Sequence, residues 1–245
     1  MIVLFTDFGL EGPYTGQVKA VLHSLAPAVP VVDLFADAPA RSPKPAAYLL
    51  AAYASWFVPA TVFLAVVDPG VGSDREAIIL EADGRSFVGP ENGLFELVRR
   101  RARRSRSWEI APREPPFGML SASFHGRDVF APAAARLALG ERPQGALRAR
   151  ESGRRPEWPD DLPQIVYIDR FGNAITGLRA SFLPSTARLG AGGGIFARAR
   201  TFADVGRGSA FWYENANGLA EIAVNGGRAD ALLRLEIGSG VEVIL

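Results

Sequence analysis

Five stretches of the chain place titratable or amide side chains where an apolar run stops, each with glycine nearby. Thr6-Asp7-Phe8-Gly9 follows the apolar residues 2–5. An Asp just past a first strand can accept two hydrogen bonds from a cis-diol such as that of a ribose, although a turn or helix cap would use it equally well. Val66 to Arg75 puts Asp68 at the end of a β-branched run, in a tight loop made by Pro69, Gly70 and Gly72. Arg75 can fold back to pair with Asp68, as a structural ion pair or as part of a polar site. Gly89-Pro90-Glu91-Asn92-Gly93-Leu94 suggests a positive-φ turn before a helix, and a plain turn is the simpler reading. Phe124-His125-Gly126-Arg127-Asp128 holds one of only two histidines, in a loop beside an Arg. A loop His of this kind is a better functional candidate than the mid-helix His23, and Asp128 suits a helix cap. Finally, Ile168 to Thr176 offers a carboxylate (Asp169), a ring (Phe171) and a carboxamide (Asn173) within five residues. That set can hold a cation, stack on a base and read a base edge, or it can simply decorate a β-turn.

Other chemistries are poorly supplied. There is no cysteine, which excludes disulfides and thiolate metal sites, and no His pair at ligand spacing, so no metal is expected. Neither a G-x-S-x-G elbow nor a G-x-x-x-x-G-K-[ST] loop occurs. Gly192-Gly193-Gly194 lies between β segments, which disfavours a phosphate cradle. The arginines at 99–101, 103, 104 and 106 suit a helix C-terminus, where cations are favourable. A net charge of +1 gives no bulk attraction to nucleic acid or to a membrane surface. No apolar run approaches the ~20 residues of a membrane helix. The opening Met-Ile-Val-Leu-Phe reads as a strand rather than a signal peptide, so a cytoplasmic location is expected. Lys19 and Lys44 are the only lysines, a bias read as genome composition.

These residues need a frame. Val18, Val21, Leu22 and Leu25 have helical spacing, bounded by Pro27 and Pro30. Val29 to Phe35 reads as a strand, residues 45–57 as an apolar helix, and Thr61 to Val67 as a strand buried on both faces. Residues 77–81 and 86–88 suggest a hairpin around Asp83-Gly84, and 94–101 and 129–139 suggest helices. Alternating strands and helices imply a three-layer α/β domain with a mainly parallel sheet over 1–145. A linker rich in Pro and Arg follows over 146–163. Short strands at 164–168, 174–178, 195–200, 209–213, 219–224, 232–236 and 241–245 then imply an all-β domain over 164–245, a small barrel.

Taken together, TDFG, VVDPGVG-S-x-R, GP-[DE]-NG-L, FHGRD-x-FAP and D-x-FGN-x-x-T, in that order and followed by EIAVNGG at 221–227, resemble the S-adenosylmethionine hydroxide adenosyltransferases. These are relatives of the fluorinating and chlorinating enzymes. The resemblance implies an N-terminal α/β domain, a C-terminal β-barrel, and a homotrimer with ligand between the first domain of one subunit and the barrel of the next. It implies S-adenosyl-L-methionine as substrate and no cofactor. By similarity Asp7 would hold the ribose diol, Asp169 the methionine ammonium and Asn173 the adenine edge. Phe171 and Phe202 would lie near the adenine, and Asp68, Arg75 and His125 match the family's water-handling trio. The chain departs from the pattern at Gly12, where an Asp is usual, at Glu91 for Asp, at Gly177 for Asn and at Val18 for Met.

The implied reaction is attack of water on ribose C5′, giving adenosine and methionine. A sulfonium is already a good leaving group, so the protein must chiefly hold water in line about 3–3.5 Å from the carbon. Free hydroxide is implausible against water's pKa of ~15.7. The expectation is an oriented water that loses its proton late, to Asp68 or to neutral His125. Two other functions compete: a halide-using relative, and a binding module without turnover. Halide-using relatives resemble Tyr at the position of Asp68 and Tyr-Ser at His125-Gly126, and a mere binder needs no such trio.

Overall fold

The computed structural model describes residues 1–110, 118, 120–143, 145–149 and 153–245; of the expected linker, 150–152 lie outside the described residues. Contacts divide the chain into two compact units, Met1–Arg155 and Pro156–Leu245.

The first unit is built on β1 (Ile2–Thr6), β2 (Val31–Phe35), β3 (Val62–Val66), β4 (Ala77–Ala82), β5 (Arg85–Pro90) and β6 (Ser105–Glu109). They form one sheet in the order β2-β1-β3-β5-β4-β6. The β1–β2, β1–β3 and β3–β5 pairings are parallel, and β4 runs antiparallel to both β5 and β6. Successive side chains leave a strand on opposite faces. Ile2, Leu4, Val62, Leu64 and Val66 therefore share one face with Val18, Val21 and Leu22 of helix α1 (Tyr14–Leu25) and with Ala131, Ala133 and Ala134 of helix α4 (Ala131–Ala138). The other face stacks Phe63 on Phe87 at 4.8 Å and sets Phe5 against Phe35, which meets Tyr53 at the end of helix α2 (Pro43–Tyr53). Helix α3 (Glu96–Arg101) packs beside α2. Helices on both faces of the sheet make the expected three-layer α/β arrangement. β6 has no counterpart among the expected strands: its sequence, SRSWE, lacks a strand-like apolar alternation, and pairing with β4 defines it. Backbone bonds from Glu109 N to Ala146 O (3.0 Å) and from Arg148 N to Ser107 O (2.9 Å) cover its outer edge.

The second unit contains β7 (Leu162–Ile168), β8 (Ala174–Arg179), β9 (Arg188–Ala191), β10 (Gly194–Phe196), β11 (Ala210–Glu214), β12 (Leu219–Val224) and β13 (Glu242–Ile244). Two antiparallel sheets, β11-β12-β8-β7 and β10-β9-β13, enclose one core that includes Ile165, Leu178, Leu189, Trp212 and Ile222. Their edges join. Ile165 N donates to Ser239 O and Val241 N to Pro163 O, while Ala199 N donates to Trp212 O and Trp212 N to Ala197 O. These bonds close the seven strands into a ring, the small barrel expected. One strand expectation fails: 232–236 is not a strand, because Ala229–Leu233 forms a short helix, α5, ended by Arg234 at φ 53°. β9 is likewise absent from the expected strands; its pairing with β10 and β13, rather than its own pattern, makes it a strand.

Charges that read as linker composition dock onto the first unit. Glu91, buried, pairs with Arg99 at 3.0 Å and with Arg148, which also reaches Glu76. Glu96 has a fully buried side chain and accepts from Arg100 at 2.8 Å, Arg154 at 3.1 Å and the Arg155 backbone N–H at 3.2 Å. Burial works to raise the Glu96 pKa, but the hydrogen bonds from Arg100, Arg155 and Arg154 outweigh it and hold the carboxyl below its ordinary value. Its stabilisation is therefore present above the ordinary carboxylate pKa of ~4.3 and fades as pH falls below that. Glu96→Gln should cost about 3 kcal/mol at pH 7, since it strands two partly buried arginines. Urea unfolding at pH 7 and pH 4 checks this: the gap between the two proteins should narrow at the lower pH.

Candidate active site

In an open α/β sheet, ligands gather beyond the carboxyl ends of the strands where the chain order reverses. Here β1 lies between β2 and β3, so its carboxyl end is that point. Asp7 follows β1 directly, and Asp68 lies just beyond β3. Asp7 N donates to Val66 O, which ties the two strand ends together, and Asp7 Oδ2 accepts from Arg41 N at 2.8 Å. Burial, with the nearby Asp68 charge adding to it, pushes the Asp7 pKa up against that backbone bond.

Asp68 and Arg75 form a buried bidentate pair. Arg75 Nε lies 3.0 Å from both carboxylate oxygens and Nη2 lies 2.5 Å from Oδ2, with side-chain exposures of 5% for Asp68 and 10% for Arg75. The guanidinium also sits 5.3 Å over the Phe130 ring. Its Nη2 is 2.9 Å from His125 Nδ1. A guanidinium has donors only, so Nδ1 must present its lone pair and the ring proton of neutral His125 must sit on Nε2. Burial first, and the Arg75 charge second, hold the His125 pKa below its ordinary value.

The loops that bring these groups together interlock. Gly72 has φ +82°, and a Cβ there would stand 2.6 Å from Ala122 O in the loop before His125. A Cβ on Gly126 would stand 2.9 Å from the Phe8 ring, which lies beside Asp7. Asp128 does not cap a helix as expected. The chain turns through a wide π-type segment over Gly126–Phe130, and Asp128 instead pairs with Arg127 and accepts from Ser121 N at 2.9 Å, pinning the His125 loop. Asn92, a plain turn residue by its sequence context, clamps the far side: Nδ2 donates to Val67 O at 2.8 Å, and Oδ1 accepts from Leu94 N. The only signal for it in the sequence is its place before Gly93.

The other sequence candidates lie together in the second unit. Asp169, Phe171, Asn173, Phe202 and Tyr213 line one open groove of about 680 Å³. Asp169 closes the turn: its oxygens accept from Asn173 N at 2.8 Å and Nδ2 at 3.0 Å. Phe171 is 73% exposed, whereas Phe202 packs edge-on to Phe211 and Tyr213. Glu221, which sequence reasoning misses, is buried on β12 opposite Tyr213. It accepts from Tyr213 Oη at 2.5 Å and Asn215 Nδ2 at 2.9 Å, and burial raises its pKa. Among the described residues, no cluster of three or more His, Asp or Glu could hold a metal ion, and no helix is long and apolar enough to cross a membrane.

A solved structure of an uncharacterized conserved protein from Thermotoga maritima matches the whole of both chains with a TM-score of 0.90 at 30% identity. A conserved hypothetical protein from Thermus thermophilus matches 99% of both chains with a TM-score of 0.77 at 38% identity. The family model for the SAM hydroxide adenosyltransferase N-terminal domain matches residues 2–146, and that for the C-terminal domain matches residues 163–242. This chain belongs to the SAM hydroxide adenosyltransferase family. It is 40% identical, over 99% of both chains, to a Thermus thermophilus protein named (R)-S-adenosyl-L-methionine hydrolase. It is 37% identical, over 97% of this chain and 95% of the other, to a protein of that name from Salinispora arenicola.

Removing the Arg75 charge by Arg75→Met should raise the His125 pKa. With only two histidines in the chain, proton NMR can follow the His125 ring through a titration; an unmoved His125 would contradict the contact described.

Proposed function

We propose that this protein hydrolyses S-adenosyl-L-methionine by in-line attack of water on ribose C5′, giving adenosine and L-methionine. The observation that carries the reading is the Asp68–Arg75–His125 set at the sheet's switch point, in a chain whose full-length relatives bear that activity in their names. The C5′–S bond breaks with its electron pair going to sulfur, and the sulfonium becomes a neutral thioether. The new O–C5′ bond leaves positive charge on the attacking oxygen. A fixed carboxylate beside it stabilises that charge as it develops.

The tautomer divides the labour. His125 Nδ1 is engaged by Arg75, so Nε2–H is a donor and the ring is not the proton acceptor. In this reading His125 orients the water through Nε2–H, Asp68 takes the proton late, and Arg75 holds both partners in place. Asp7 holds the ribose diol, Asp169 the methionine ammonium, Asn173 the adenine edge, and Phe171 and Phe202 flank the base. No cofactor takes part, and the protein works in the cytoplasm. Three copies assemble so that the first unit of one subunit and the barrel of the next share each ligand. Asp68, where the halide-using relatives resemble Tyr, and His125-Gly126, where they resemble Tyr-Ser, favour the hydrolytic form over halide transfer.

Incubation with S-adenosyl-L-methionine in H₂¹⁸O, with EDTA and chloride present, should give adenosine labelled at the 5′ oxygen, plus methionine. 5′-Chloro-5′-deoxyadenosine as main product, or a strict need for a divalent ion, would overturn the reading. His125→Ala should lower kcat by about 10²-fold with a smaller effect on KM, the usual scale for a lost transition-state donor, whereas His23→Ala should leave kcat alone. Because burial and the Arg75 charge lower the His125 pKa, the loss of kcat on acidification should set in at a lower pH than the ordinary imidazole value of ~6.5 would give. Light scattering should return a trimer; a fully active monomer would reject the shared site.

A further inference from the structure

Just beyond β5 lies a side chain that has no part in the reaction as proposed, Asn92. The parallel ladder between β3 and β5 pairs Val62 with Ser86, Phe63 with Phe87 and Leu64 with Val88, and Ser86 N donates to Thr61 O at 3.0 Å. Donors in a parallel ladder are evenly spaced, so they recur at every second residue. The next two beyond Val88 would be the N–H groups of residues 90 and 92, facing Ala65 O and Val67 O. Residue 90 is a proline without an N–H, and the ladder ends there. Gly89, where a Cβ would run into Ala65 O, lets the two chains stay close past the break. The Asn92 side chain then makes the bond that the ladder would have drawn from its backbone. Nδ2 donates to Val67 O at 2.8 Å, while Oδ1 accepts from Leu94 N at 3.2 Å. A carbonyl only accepts and an N–H only donates, so the amide has one possible orientation. The turn itself is anchored, with Glu91 N donating to Glu76 O at 3.0 Å and the Glu91 carboxylate held by Arg99.

We infer that Asn92 is a positioning residue for Asp68: by holding Val67 O it sets the peptide plane from which the Asp68 side chain departs. The inference rests on the proposed hydrolase reading. Three successive carbonyls at the end of β3 are each taken by a different segment. Val66 O accepts from Asp7 N at 3.3 Å, Val67 O from Asn92, and Asp68 O from Val71 N at 3.4 Å. Of these three donors only the Asn92 amide is a side chain, so a substitution can remove it with the backbone left in place. The Val67 carbonyl and the Asp68 N–H belong to one rigid peptide unit. Turning that unit swings the Asp68 carboxylate, which Arg75 grips while it holds His125. A misplacement of about 1 Å in a group that must meet the attacking water costs up to about 10²-fold in rate. Asp7 is tied to Val66 O instead, and Asp169 and Asn173 lie in the second unit, so substrate affinity does not hang on this bond. Asn92 touches no ligand in this scheme and acts through Asp68.

The test uses two variants of the full-length protein. Asn92→Asp keeps an acceptor for Leu94 N, and so keeps the turn, but faces Val67 O with a carboxylate that has nothing to donate. Asn92→Ala removes both bonds and adds no charge. Steady-state kinetics with S-adenosyl-L-methionine should show kcat at least about tenfold lower in both, with KM within about twofold of wild type. A residue needed only for the turn would behave differently: Asn92→Asp would match wild type, and Asn92→Ala would lose thermal stability but not kcat. Asn92→Asp with wild-type kcat, or a raised KM at unchanged kcat, therefore overturns the inference and leaves the hydrolase reading intact. Should Asn92→Asp fail to fold, the same kinetic split in Asn92→Ala decides. Proton NMR of the His125 ring in Asn92→Ala reads the geometry without turnover. The ring signal should move, because Arg75 follows Asp68 and its contact with Nδ1 changes. A wild-type protein that does not turn over the substrate removes the hydrolase reading. In that case an unmoved His125 signal overturns the positioning role as well, whereas a moved one supports Asn92 as the post on which Asp68 is set.

Discussion

Arg75 can only donate, and the first unit's candidate site is arranged around that constraint. One face of its guanidinium fork takes both oxygens of Asp68, and the remaining reach takes the lone pair of His125 Nδ1. Two acceptors from separate loops are thereby held in fixed orientations by one cation. Burying an ion pair is expensive unless its hydrogen bonds are complete. Here the hydrogen bonds are made by loops that approach each other closely, at Gly72 against Ala122 and at Gly126 against Phe8. A larger residue at Gly72 would push the Ala122 backbone of the His125 loop, and one at Gly126 would push the Phe8 ring beside Asp7.

The same logic recurs in the barrel with the signs reversed. There an acceptor-only group, Asp169, dictates how an ambiguous amide must sit. In one unit a donor-only group fixes an imidazole; in the other, an acceptor-only group fixes a carboxamide. Both devices remove a rotational or tautomeric choice before any ligand arrives, which lowers the ordering cost of binding.

Much of this is readable from residue order. The α/β alternation, the hairpin at Asp83-Gly84 and the short strands after 163 each follow from local periodicity and turn residues. β6, β9 and α5 do not, because their sequences carry no period of their own and their partners define them. The glycine-flanked candidates stand out as polar interruptions of apolar runs. Their pairings across the chain are visible only in part: Arg75 beside Asp68 follows from a short loop, but Arg75 on His125 does not. Asn92 and Glu221 escape because each spends its polar atoms on protein groups, and an isolated Glu in the apolar strand LAEIAV is easily read as a surface residue. Arg148 and Arg154 have the look of solvated linker charges, yet their partners are carboxylates much earlier in the chain.

Ring closure of the barrel has a consequence for how the protein meets its own kind. A strand with unpaired N–H and C=O groups is a template on which another chain can crystallise as an extra strand. The bonds at 163–165 with 238–241, and at 197–199 with 212, pair part of the edge that the two barrel sheets would otherwise leave open, and residues 146–148 mask β6. β2 is an open edge of its sheet, and it is five residues long, with Asp33 in its middle held by Lys19. Self-recognition through those paired stretches is therefore written in side chains, a vocabulary that point substitutions can edit, and not in backbone, which they cannot.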